Sequence, residues 1–204
     1  ENPPGLIGRV FGGGDVEMVV QHPRLFLEQT ERKFDLIQLV HAEGIPAGGG
    51  LQGLNEEYLL TRESLARSLE LLSDRGLISV TRGIHSPPRD TIKILSLFIA
   101  ALEDHGVLAP EKHLMISRNY LAVNSLMSRS PLNESIIERL IEGTGKLQMD
   151  PEYFPGMSSD GIRYRNQIGT PPGKPYSYLH HAVKELLFGD RKAFLHDWVY
   201  NVPV

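Results

Sequence analysis

An imidazole and a carboxylate, His41 and Glu43, stand two residues apart directly after the apolar run Phe34-Asp35-Leu36-Ile37-Gln38-Leu39-Val40. If that run is a strand, both groups lie at its carboxyl end, where open α/β sheets bind ligands. An imidazole there can take a proton near neutral pH, and it can equally pack a loop. Gln38 is polar within the run, so its amide must be paired or wet: it faces a ligand, meets a loop carbonyl, or sits at the solvent end of the strand. Arg82 and Arg89 flank Pro87-Pro88 just after a second apolar run, Leu77 to Thr81. Two guanidinium groups there suit a clamp on a carboxylate or phosphate, or a pairing with Glu56 or Glu63. Glu56, Glu57 and Tyr58 open a long helix, either as pocket residues or because its dipole favours acidic side chains at that end.

Several other chemistries find no support. The chain has no cysteine, which excludes disulfides, thiolate nucleophiles and Cys-ligated zinc. Its eight histidines show no ligand spacing, and the adjacent pair His180-His181 points to two sides of a helix, so no metal is expected. No Gly-x-Ser-x-Gly elbow occurs. Gly12-Gly13-Gly14 precedes a strand and Gly48-Gly49-Gly50 sits in a long loop, so neither offers the strand, turn and helix that cradle a phosphate. A net charge of -4 without a run of Lys or Arg disfavours nucleic acid as a partner. The longest apolar stretches, such as Ile94 to Leu102, are too short to span a bilayer, and the chain reads as soluble as given.

The elements that must position these groups alternate in kind, which predicts an α/β fold. Val16 to Val20 reads as a strand and Leu25 to Arg32 as a short helix. Phe34 to Val40, nearly all apolar, reads as a central strand buried on both faces. A long helix follows, from Asn55 or Arg62 to Arg75, with Leu65, Leu69 and Leu72 on one face; Gly76 reads as its left-handed terminator. Leu77 to Thr81 is then a second strand, parallel to the first. A helix over Asp90 to Asp104 leads to the strand His113 to Ser117. Asn119-Tyr120 turns into Leu121 to Met127, giving an antiparallel hairpin. Ser130-Pro131 starts an amphipathic helix to Glu142, with Ser130 as its cap. Residues 143–176, rich in Gly and Pro and without periodicity, read as a surface excursion. A helix over Tyr178 to Phe188 and a short apolar end complete the chain.

Three ordered blocks carry a resemblance. They are the run Phe34 to Leu39, the segment Gly53-Leu54-Asn55-Glu56-Glu57-Tyr58-Leu59-Leu60-Thr61-Arg62-Glu63, and Gly76 to Arg82 with Pro87-Pro88-Arg89. Together they resemble the spermidine-synthase-like domains fused to multi-pass membrane segments, relatives of aminopropyltransferases and class I methyltransferases. The likeness covers Val16 to Met127 and reaches more weakly to Asp150-Pro151-Glu152-Tyr153-Phe154-Pro155-Gly156 and the C-terminus. It implies a partial Rossmann-like sheet with a C-terminal antiparallel hairpin and a Pro/Gly-rich extension. Residues 1–145 are then the core without its nucleotide-binding half, and residues 146–204 the extension with a terminal helix.

The resemblance also implies a longer parent that uses S-adenosylmethionine or its decarboxylated form, with no cofactor held by this segment alone. The parent's substrate would be a small amine. In the synthases an Asp-x-x-Asp stretch takes the amine's proton; here it reads Val40-His41-Ala42-Glu43, so only the second carboxylate is kept. The acidic residue near the donor's adenine falls at His22. Methyl or aminopropyl transfer by the parent is one expectation, and a non-catalytic ligand-sensing or packing module beside a membrane partner, on its cytoplasmic face, is the other. The sheet edge left by absent strands predicts a homodimer, or cover from the chain's own terminal segments.

Overall fold

The computed structural model describes residues 16–40, 59–159 and 162–198. Its elements are α1 (Pro23–Gln29), β1 (Phe34–Val40), α2 (Arg62–Leu71), β2 (Leu72–Gly83), α3 (Asp90–Asp104), β3 (Leu114–Arg118), β4 (Ala122–Ser128), α4 (Glu134–Lys146), β5 (Asp150–Tyr153), α5 (Tyr178–Phe188) and α6 (Arg191–Asp197). The strands form one five-stranded mixed sheet in the order β1-β2-β4-β3-β5, so the fold is α/β.

The crossover β1, α2, β2 returns parallel to itself, with Leu36 opposite Leu77 and Val40 opposite Thr81. The hairpin of β3 and β4 is antiparallel, and its second strand inserts against β2, Arg82 opposite Val123. Asn119 sets the turn: its side-chain oxygen accepts from the Leu121 and Ala122 amides at 2.8 and 2.9 Å. Helices α2, α3 and α5 cover one sheet face, packing Leu65, Leu69, Ile92, Leu95, Ile99, Val183 and Leu186 on Ile78, Val80, Leu114 and Ile116. On the other face α4 lays Ile136, Ile137, Leu140 and Ile141 on Met115 and Leu126. Each such aliphatic side chain contributes about 1.5–3 kcal/mol when fully buried.

Several boundaries differ from the sequence expectation, each for a local reason. Val16 to Val20 is not a strand; Val16, Met18, Val19 and Val20 are exposed and pair with nothing in the sheet. Strand β1 has the expected limits but lies at the end of the sheet, with only Ile37 and Leu39 turned to the core. Leu36 and Val40, on its other face, are 52% and 66% exposed. Helix α2 starts where Thr61 caps it, accepting from the Ser64 amide, and stops at Leu71.

Gly76 therefore does not end a helix: it lies inside β2, where a Cβ would stand 2.8 Å from the Phe34 carbonyl oxygen and from Leu72 Cβ. Its role is to let β1 approach across the register shift between Phe34 and Leu36. Helix α4 is capped by Asn133, not Ser130, whose hydroxyl is committed to the Asp74 carbonyl. Three elements were missed, the 3-10 helix Pro110–His113, the strand β5 and the helix α6.

Candidate functional site

The carboxyl ends of β1, β2 and β3 share one rim with the β3–β4 turn and the first residue of β5, since Arg118 lies opposite Asp150. Val40, which precedes His41, stands beside Thr81, which precedes Arg82. His41, Glu43, Glu56 and Tyr58 themselves lie outside the described residues. Arg82, the last residue but one of β2, lies on the helix-covered face and is 4% exposed, a buried cation at the rim. Arg89 occupies the residue before α3 and is exposed. Glu63, the partner weighed for these arginines, instead faces Arg24 and Arg62, and its carboxyl is lowered chiefly by hydrogen bonds at the start of α2.

Gln38 lies on the opposite, uncovered face of β1 and is exposed, so its amide meets solvent. It stands across from Ser79, and Asn124 donates to Ser79 Oγ at 2.8 Å and Thr81 Oγ1 at 2.9 Å, extending a polar stripe over β2 and β4. His22 is exposed at the N-cap of α1 with no side-chain capping bond. The structure thus brings Gln38 and Arg82 onto neighbouring strands but opposite faces.

The densest polar site was not anticipated from sequence. Arg118 and Glu152 are both 0% exposed, and Arg118 Nε donates to Glu152 Oε1. The other carboxylate oxygen accepts from Ser177 Oγ at 2.7 Å and from Tyr164 Oη at 2.9 Å. Arg118 Nη1 donates to the Asn166 carbonyl at 2.5 Å and lies 3.9 Å from Asp150 Oδ2, while its guanidinium packs 4.8 Å from the Tyr164 ring centre. Asp150 in turn accepts from the Arg165 and Asn166 amides at 3.0 and 2.7 Å. Burial pushes the Glu152 carboxyl above the usual range, against the opposing pull of Arg118, Ser177 and Tyr164. Burial, followed by the neighbouring Glu152 charge, likewise raises the Tyr164 phenol.

His180 adjoins this network. Its Nδ1 lies 2.7 Å from the Glu152 carbonyl oxygen, which can only accept, so Nδ1 carries the proton and Nε2 accepts from Ser159 Oγ at 3.1 Å. Burial lowers its pKa and keeps the ring neutral at pH 7. The signal that could have found it is Arg118: a cation ending the apolar run Leu114 to Ser117 needs an acidic partner, and Asp150-Pro151-Glu152 offers two.

Among the described residues no group of three or more His, Asp or Glu is placed to hold a metal ion, and no helix is long and apolar enough to cross a membrane. No protein-family model matches this chain, and no curated protein matches it.

Proposed function

We propose that the chain is the second half of a spermidine-synthase-like domain with a class I methyltransferase type of Rossmann-like sheet. Its longer parent then transfers a methyl or aminopropyl group to a small amine. The observation that carries this reading is the parallel register of β1 and β2, which sets Val40 and Thr81 side by side so that both strands end at one rim. A crossover followed by a hairpin that inserts against it supports the same reading. In the parent, Glu43 or His41 is the group nearest the acceptor and takes the amine's proton.

The residues described here do not fit the donor. A nucleoside donor needs a Gly-rich turn between a strand and a helix. The link from β2 to α3 instead carries Pro87-Pro88, and the exposed Gln38 and the buried Arg82 face opposite ways. Among the described residues none supplies that turn, so no transfer step is assigned to them, and no binding of S-adenosylmethionine or its thioether product is the expectation for this chain. Calorimetry decides the point: absence of heat with either compound is the expected result. Binding at about 1 mM or tighter, about -4 kcal/mol or better, contradicts the half-domain reading.

A second reading, a non-catalytic ligand-sensing or packing module at the cytoplasmic face of a membrane partner, is favoured by one observation. Val40, where the resemblance places the first carboxylate, is apolar and 66% exposed. Donor binding by a chain extended through its upstream half, with turnover of an amine, supports the enzyme; donor binding without turnover supports the module.

A further inference from the structure

We propose that residues 162–176 are a lid over the β2-to-β5 end of the rim, latched shut by Arg118. The inference is independent of the donor reading, because it rests on how this segment is held. From Asp150 the strap passes the β3–β4 turn, where Tyr120 Oη contacts the Arg165 carbonyl and the Gln167 amide at 3.4 and 3.2 Å. It then reaches the segment after β2, where a Cβ on Gly169 would come within 3.2 Å of Ser86 Oγ. It ends at Ser177, the cap of α5, whose hydroxyl belongs to the Glu152 network. The strap therefore crosses the rim at which open α/β sheets take ligands.

The strap has no regular secondary structure, and of residues 162–176 only Asn166 and Pro171 are buried. Its hold is polar and concentrated: Tyr164, Arg165 and Asn166 all close on Asp150, Glu152 and Arg118. The sheet beneath is held differently, by the apolar cluster of Ile78, Val80, Leu114 and Ile116. Segments with few buried apolar contacts open locally at a free energy below that of global unfolding. A buried ion pair, moreover, fixes geometry more than it adds stability, since its desolvation offsets its attraction. Arg118 is thus a positioning residue: withdrawing its charge frees the strap, and the sheet keeps its packing.

Hydrogen exchange followed by mass spectrometry on the whole chain tests this. The variant Arg118→Met with Glu152→Gln removes the charges as a pair, and Tyr164→Phe removes one hydroxyl without stranding a charge. In the paired variant the amides of Arg165, Asn166 and Gln167 exchange about tenfold faster or more, with those of β2, β3 and α3 unchanged; Tyr164→Phe moves them the same way by less. Unchanged strap exchange in both variants overturns the latch. So does acceleration spread equally through the sheet in Tyr164→Phe, which makes the network part of the common core.

Discussion

Withdrawing one member of the buried pair exposes how the account treats charge. Arg118→Met leaves Glu152, 0% exposed, with only the Ser177 and Tyr164 hydroxyls. Breaking a buried pair in this way costs about 3–5 kcal/mol. The chain can escape part of that by protonating the carboxyl, and protonating a group of ordinary pKa near 4.3 at pH 7 costs about 3.7 kcal/mol, which caps the penalty of the stranded charge. Glu152→Gln leaves Arg118 with Asp150 at 3.9 Å as its nearest carboxylate, a milder loss of about 2–3 kcal/mol. The paired variant restores neutrality and keeps an acceptor for both hydroxyls, so its cost falls short of the sum of the singles by about 2 kcal/mol or more. Urea denaturation of the four proteins at neutral pH measures the coupling directly. Single costs that simply add, within about 0.5 kcal/mol, refute the reasoning.

Other consequences follow from single positions. Gly76→Ala places a methyl group 2.8 Å from the Phe34 carbonyl oxygen and from Leu72 Cβ, neither a flexible tip, so it lowers stability by about 1–3 kcal/mol despite the gain of about 0.5–1 from a stiffer unfolded chain. Gly143→Ala, in α4 with open space around the added atom, raises stability by about 0.5–1 kcal/mol, and equal urea midpoints for the two variants contradict the account. His180 has its pKa lowered in the folded chain, first by burial, so the folded state binds fewer protons than the unfolded. Its contribution is whole above the unfolded value of 6.5 and is lost as pH falls through the lower folded value. His180→Asn retains a donor toward the Glu152 carbonyl but cannot titrate, so between about pH 7.5 and about pH 5.5 it loses less stability than wild type. Parallel curves for the two proteins would remove His180 from the account.

Sequence patterning located the helices α3 and α5 and the hairpin because their periodicity and turn chemistry agree with their burial. It misjudged β1 because an apolar run does not say whether both faces are covered; here Ile37 and Leu39 pack while Leu36 and Val40 remain open. It overran α2 because Leu72 continues the helical spacing, yet tertiary pairing draws Leu72 into β2 opposite Phe34. It missed β5 because Asp-Pro-Glu-Tyr has the composition of a loop. That segment is an edge strand, where a proline is tolerated, and Arg118 holds its acids. The rim was legible as a place, from Val40 and Arg82, whereas the Arg118 network joins residues up to 48 positions apart and has no local pattern.

The central claim is the parallel pairing of β1 with β2, and a chain without cysteine lets oxidation test it cleanly. Gln38→Cys with Ser79→Cys places two thiols across neighbouring strands about 4.8 Å apart, within the span a disulfide bridges. Leu36→Cys with Thr81→Cys is the counterpart, four residues out of register in the parallel sheet because Leu36 stands opposite Leu77. Loss of free thiols on mild oxidation in the first pair and not the second is the predicted result. Ready closure of the second pair, which only an antiparallel alignment about Gln38 and Ser79 brings together, contradicts the fold and the rim alike.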